Sequence, residues 1–318
     1  MIGIKLSGGL GNNMFEYASA KSLAISKKYR FCYFSQKDLG FYIKKIKKYL
    51  VFKFSRKKDK FKKQLSKKEL GNYFYLDQNP FTNLFNKFCW VLKNRHSKKN
   101  YIYDFRRNNF IKDAAKKEFL SCERWTELKG CFSSEVYFVE RSKILKWFRP
   151  KKKYLNKINN IADNLNAPQE KRCCIHIRRG DALYMDKGLA LDNHGWSLPL
   201  DYYKYVISKL DQKLLFVFLS DDPDWAIDKF DYLPNKIFLK NNSEIIDMFI
   251  FSKCKYNILS RGTFSWWGAW LNQIPDKKVF APKYFLGIPE KKCIPYGMDK
   301  GEEVENWNYI DFDDIEYQ

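Results

Sequence analysis

The chain has 318 residues, is 45% hydrophobic and 18% aromatic, and carries a formal net charge of +23. That length suits two domains of ordinary size, each able to bury its own core, and with no run of about 18 apolar residues no spanning helix is expected. The charge is compatible with a nucleic acid, an anionic membrane surface or a phosphorylated substrate.

Ile2 to Leu6 reads as a first strand, Ser7 to Asn13 as a glycine turn, Met14 to about Lys28 as a helix with Met14, Tyr17, Ala18 and Ile25 on one face, and Arg30 to Phe34 as a second strand. The glycines and asparagines of MIGIKLSGGLGNN interrupt any leader-like apolar run, so no signal peptide is expected. GGLGNN lacks the G-x-G-x-x-G spacing, and no acidic residue stands where a ribose partner belongs, so this opening is no dinucleotide fingerprint. From Phe41 to about Trp125, basic and aromatic residues alternate without clear periodicity. Within that stretch Lys44 to Lys68 is rich in lysine, with Tyr49, Phe52, Phe54 and Phe61 interleaved. It is either a basic patch lying on anionic lipid or a solvated face. Leu128 to Arg149 turns helical at its far end, and Pro150 with the lysines after it marks a boundary, giving domains 1–150 and 151–318.

The second half alternates more clearly. Strand Cys173–Arg178 precedes a long loop through Gly188, Asn193 and Gly195. Helix Leu200–Leu210, strand Leu214–Leu219, helix Trp225–Phe230 and strand Lys236–Leu239 follow. Then come helix Ser243–Lys253 with Ser243 as N-cap, strand Tyr256–Leu259, helix Phe264–Asn272 capped by Thr263, strand Lys278–Ala281, and an acidic tail from Gly301. Such alternation means an α/β fold with a parallel, doubly wound sheet. The eight cysteines form no CxxC pair or Cys/His metal spacing. They read as reduced thiols of a cytoplasmic protein.

A doubly wound sheet binds ligands beyond the carboxyl ends of its strands. Three loops gather there. The first carries His176, Arg178, Arg179 and Asp181, the second Ser220-Asp221-Asp222, and the third Ser260 to Ser265. A guanidinium stays charged and its planar fork fits phosphate oxygens in pairs. A helix N-terminus adds free N–H groups. Arg178 beside the Thr263 and Ser265 hydroxyls therefore suits a pyrophosphate, and a carboxylate at Asp221 or Asp222 suits the paired N–H donors of a guanine edge. Asp222-Pro223-Asp224 is formally D-x-D, but Pro223 reads as a helix opener that leaves Asp224 as a first-turn acid, so no metal site is expected. Trp266, Trp267 and Trp270 read as core, and His194 as structural or substrate-facing.

GGLGNNMFEYASAKSLA, CFSSEVYF, HIRRGD, SLPLDYY, FLSDDPDW and TFSWWGAWLN occur in the order seen in bacterial α-1,2-fucosyltransferases of glycosyltransferase family eleven, and the chain resembles that family over nearly its whole length. The resemblance implies a GT-B architecture, with two Rossmann-like domains, an inter-domain cleft, an acceptor side in the first domain and GDP-fucose held mainly by the second. It also implies inverting, metal-independent transfer with no cofactor. Fucose would pass to the 2-hydroxyl of a galactose-type acceptor, an oligosaccharide or lipid-linked glycan, in surface polysaccharide or lipopolysaccharide synthesis. Arg178 would neutralise the departing β-phosphate, Asn12 would border the reacting sugar, and Thr263, Phe264 and Ser265 would hold nucleotide. His176, Arg179, Asp181, Asp221 and Asp222 complete the binding set. Asp186 is the candidate base, with Glu16 and Asp192 as others.

Four positions depart from the family pattern. Asn13 and Glu16 replace glutamines, and Arg261-Gly262 replaces an asparagine and a hydroxyl residue. Arg261 brings an extra cation to the donor side, which keeps another GDP-sugar or an acidic acceptor as the alternative. A nucleic-acid partner is not expected, because the charge clusters away from the motif loops and no standard recognition motif occurs. The expected location is cytoplasmic, with the lysine patch as a peripheral contact on the inner membrane face.

Overall fold

A computed structural model of the chain describes residues 1–35, 70–77, 80–94, 100–103, 112–184, 197–283, 304–311 and 315. The Lys44–Lys68 patch, Asp186, Asp192 and His194 lie outside them. Two compact units are formed, Met1–Phe105 with Ile111–Lys151, and Arg106–Phe110 with Lys152–Gln318.

The first unit is built on a parallel sheet. Strand β1 (Ile2–Lys5) leads into helix α1 (Leu10–Ser26), and strand β2 (Phe31–Phe34) returns beside β1. Helices α2 (Leu70–Tyr73) and α3 (Pro80–Asn94), strand β3 (Asn100–Tyr103), helix α4 (Lys112–Leu120), strand β4 (Thr126–Lys129) and helix α5 (Arg141–Trp147) follow, and the strand order is β2-β1-β4-β3. Helix α1 begins at Leu10, inside the expected glycine turn, with Asn13 N–H donating to the Gly9 carbonyl at 3.1 Å. Glycine and asparagine disfavour helix locally, but nearly every side chain from Leu10 to Ala24 is buried, and that tertiary burial outweighs propensity. Only Ser7 to Gly9 is left as the turn, with Gly8 at φ +72°. The segment after α2 meets the end of this unit in an isolated antiparallel bridge, where Tyr75 N–H donates to Arg149 O and Lys151 N–H to Tyr73 O, at 3.0 and 2.8 Å.

The second unit starts with helix α6 (Lys152–Asp163) and strand β5 (Arg172–Ile177), then α7 (Leu200–Ser208), β6 (Leu215–Ser220), α8 (Pro223–Phe230) and β7 (Lys236–Leu239). It continues through α9 (Glu244–Ile250), β8 (Tyr256–Ile258), α10 (Thr263–Leu271), β9 (Lys278–Pro282) and β10 (Asn308–Ile310). All pairings are parallel, and the order is β10-β9-β8-β5-β6-β7. The acidic tail thus contributes the edge strand β10. The chain winds outward from β5 to β7, then restarts at β8 on the other side of β5. The order reverses between β5 and β8, and the crevice outside the carboxyl ends of two such strands is where this class of sheet holds its ligand.

Apolar burial fixes that crevice. Ile175, Phe216 and Phe218 of the sheet pack with Tyr202, Val206 and Phe230 from the helices over it. Trp266, Trp267 and Trp270 of α10 are buried in the core, with Trp266 stacked on Trp270 at 5.9 Å. A side chain at Gly268 would place its Cβ 2.6 Å from the Phe251 ring and 3.1 Å from the Met248 carbonyl, so glycine is what lets α10 lie this close to the α9 region. Behind it the buried Asn272 amide donates to the Phe251 and Cys254 carbonyls and to Asn257 Oδ1, which ties the end of α10 to the start of β8.

Candidate functional site

Strands β5 and β8 each end in a short polar turn, and the two turns interlock. His176, the last residue but one of β5, has Nδ1 2.5 Å from Ser260 Oγ after β8, and the Phe264 ring lies over its imidazole at 4.9 Å. Burial, reinforced by the Arg178 charge, pushes the His176 pKa down to about 3. The imidazole is therefore neutral at any working pH and serves as a hydrogen-bonding brace between the turns. Ser265, expected among the ligand-facing hydroxyls, is fully buried and donates to the Ser260 carbonyl at 2.9 Å. Its hydroxyl closes the turn from inside.

The cap of α10 also differs from expectation. Gly262 is the N-cap, at φ +104° and ψ 170°, and Thr263 is the first helical residue. Threonine is the commoner cap, but this backbone conformation belongs essentially to glycine. The glycine has a second consequence, since a Cβ there would stand 3.0 Å from Arg178 Nη1. The Arg178 guanidinium thus rests against bare backbone at the helix N-terminus. Its other amino group, Nη2, donates to Asp181 Oδ1 and Oδ2 at 3.1 and 3.2 Å. The Arg178 side chain stays 30% exposed. Ser197 Oγ donates to the Arg178 carbonyl at 3.0 Å and pins the backbone from the next loop. A fixed cation and the N-terminal end of a helix therefore share one spot, an arrangement fitted to a phosphate or pyrophosphate.

Arg179 points elsewhere. Its Nε donates to Asp222 Oδ2 at 3.0 Å, and its guanidinium carbon lies 4.0 Å over the Trp225 ring. Asp222 Oδ1 accepts from Trp225 N at 3.3 Å, which makes Asp222 the N-cap of α8 with Pro223 at the first position. Both Asp222 oxygens thus hold groups of the protein itself, while its side chain stays 37% exposed. Asp224 pairs with Lys240 at 3.0 Å. Asp221 is placed differently. Its Oδ1 accepts from Arg179 N at 2.7 Å, and its Oδ2 would stand 2.7 Å from a Cβ on residue 180, so Gly180 is what admits this carboxylate to the end of β5. Asp221 is exposed and remains the carboxylate of this pair available to a ligand's N–H groups.

Arg261 is 3% exposed, beside the cap glycine. Its charge, with those of Asp221 and Arg179, is felt by the buried Tyr203 hydroxyl, which burial pushes well above the usual phenol range. Sequence reasoning missed the bracing by Ser197 and Trp225. Trp225 stands three residues after Asp222, the spacing of a cap and the N–H it receives, and that signal was legible.

Asn12 and Glu16 belong to the first unit. Asn12 lies in the first turn of α1, where a Cβ on Gly8 would meet its Nδ2 at 2.6 Å. Glu16 is 2% exposed and accepts from Ser7 N at 2.7 Å and from Ser7 Oγ. Burial pushes its carboxyl up to about 8, against the opposing effect of the two Ser7 hydrogen bonds. Glu16 anchors the glycine turn. The seven described cysteines are free thiols, and no cluster of three or more metal-ligating side chains occurs among the described residues. No helix among them is long and apolar enough to cross a membrane.

The chain matches the family model of Glycosyl transferase family 11 over residues 1–310. The O-antigen biosynthesis glycosyltransferase WbnK of Escherichia coli is 33% identical over 321 residues, covering 90% of this chain and 96% of that protein. An Alpha-1,2-colitosyltransferase of Escherichia coli is 28% identical over 314 residues, covering 95% of this chain and 98% of that protein. The structure of NodZ alpha-1,6-fucosyltransferase co-crystallized with GDP superposes with a TM-score of 0.50 at 11% identity, over 84% of this chain and 91% of that one. At that identity the likeness is one of fold, GT-B with two Rossmann-like α/β units.

Proposed function

The chain belongs to glycosyl transferase family 11, and from that premise we propose that this glycosyltransferase moves L-fucose from GDP-fucose to the 2-hydroxyl of a galactose-type acceptor during surface O-antigen synthesis. The observation that carries the donor half is Arg178, held by Asp181 against Gly262 at the N-terminus of α10. Departure of the nucleoside diphosphate builds negative charge on its β-phosphate. A guanidinium and helix N–H groups already in place stabilise that charge with little reorganisation, and this electrostatic contribution is commonly the largest in such a step. Transfer proceeds without a metal in this reading, since Arg178 occupies the role a divalent cation would fill. Asp221 takes the guanine edge, and Thr263 and Phe264 border the nucleotide. The acceptor side belongs to the first unit in this reading, and Asp186 stays the candidate base.

Arg261 favours a second reading, in which the donor is a different GDP-sugar or the acceptor is acidic. It places a buried second cation next to the cap glycine, and one relative at 28% identity is named as a colitosyltransferase. Incubation with GDP-fucose, GDP-mannose and GDP-rhamnose, each with β-galactosides and their 2-deoxy analogues, separates the two readings. The first expects turnover with GDP-fucose that disappears with the 2-deoxy acceptor. Preference for another donor, or transfer onto the 2-deoxy compound, would overturn it.

A further inference from the structure

Helix α3 is folded inside out. Its polar residues face the protein, where Asn86 Nδ2 donates to Phe31 O at 2.9 Å and Asn83 Oδ1 accepts from Tyr33 N at 3.3 Å, so two amides satisfy the open edge of β2. Trp90, on the same side, covers Gly3 of β1. The apolar residues face outward. Leu84, Phe85, Phe88, Val91 and Leu92 are 51–60% exposed, and Phe81 is 80% exposed. At about 100° per residue these six positions fall within an arc of about 120°, opposite Asn83, Asn86 and Trp90. Single exposed apolar residues are ordinary, whereas a continuous stripe of large ones marks a contact surface.

The borders of the stripe identify what it contacts. Lys87 and Lys93 flank it on its two sides, the Arg30 guanidinium lies 5.9 Å from the Phe85 ring, and α3 contains no acidic residue. In sequence, Lys44–Lys68 upstream has thirteen Lys or Arg against the single acid Asp59, and Arg95, Lys98 and Lys99 follow the helix. An apolar stripe edged by cations is complementary to an anionic bilayer, with hydrocarbon to receive the rings and headgroup phosphates to receive the charges. We propose that α3 docks the protein on anionic membrane, its Leu84–Phe88–Leu92 ridge inserting at the headgroup boundary. This surface is a property of the first unit and is independent of which sugar the second unit takes.

Flotation of the full chain with phosphatidylcholine vesicles, with and without added phosphatidylglycerol, tests the proposal. Wild type is expected to float with the anionic vesicles. The variant Leu84→Gln/Phe88→Gln/Leu92→Gln, which keeps good helix formers in place, is expected to lose about a hundredfold in partitioning while its melting temperature and its turnover on a soluble acceptor stay at wild-type values. The single Phe88→Gln is expected to lose about tenfold and serves if the triple variant folds poorly. Binding that is stripped by salt and equal in all three proteins would overturn the proposal, as would no wild-type binding at all. A single Phe88→Gln variant that melts several degrees lower would show the stripe packed on the chain itself. Wild-type self-association abolished by the substitutions would assign the face to a second copy, and either result would also overturn the proposal.

Discussion

Glu16→Gln isolates one buried proton. Below the usual carboxylate range the Glu16 side chain is neutral in both the folded and unfolded states. Between 4.5 and about 8, the unfolded chain has lost its proton and the folded chain retains it. The folded state then binds the extra proton, so its stability falls as pH rises through this window, by up to about 1.4 kcal/mol per pH unit. For a unit of about 150 residues that is roughly 3–6 °C per pH unit. Glutamine matches the neutral acid in size, keeps a carbonyl to accept from Ser7 N–H, and does not titrate. Melting curves of both proteins at intervals from pH 5 to 8 are the assay. The two should be similar near pH 5, with the variant increasingly the more stable towards pH 8. All other titrating groups are common to both proteins and cancel in the difference. A melting-temperature difference that stays constant across the window would refute the assignment of Glu16 as a carboxyl kept neutral by burial.

Further expectations concern the second unit. Gly262→Ala meets a strained backbone costing about 1–3 kcal/mol and a Cβ that crowds Arg178 Nη1. Turnover should fall more than tenfold (about 1.4 kcal/mol in the barrier) with only a modest loss of melting temperature, and steady-state kinetics beside a thermal melt checks both. Gly268→Ala forces a methyl against the Phe251 ring and the Met248 carbonyl. Overpacking of this kind costs about 1–3 kcal/mol, to be read as a lowered denaturation midpoint.

Much of the second unit was legible because its strands are apolar runs closed by turns. Cys173 to Ile177 is fully buried apart from His176, and the alternation of strands and helices pointed to a parallel, doubly wound sheet, whose order the structure shows reversing beside that strand. The chemistry-bearing loops therefore came together from topology alone. The internal uses of their side chains were not legible. Ser265 closes a turn and Asp222 caps a helix while holding Arg179, uses set by hydrogen bonds across five residues and across strands. Thr263 is a better cap by propensity than Gly262, and only the backbone angle and the approach of Arg178 decide between them. In the first unit, α3 lies in the stretch that shows no clear periodicity in the sequence, and nothing there reveals that its asparagines satisfy an edge strand while its phenylalanines face outward. The onset of α1 at Leu10 is likewise a consequence of burial that overrides the glycines and asparagines before Met14.

In the proposed reaction Arg178 carries the charge of a departing nucleoside diphosphate without a metal. Release of GDP from GDP-fucose, with a panel of β-galactosides and EDTA present, in wild type and Arg178→Ala, measures this directly. Wild-type release that depends on acceptor and survives EDTA, reduced by at least about two orders of magnitude in a folded variant, is the predicted result. Release abolished by EDTA, or wild-type turnover in Arg178→Ala, would contradict it.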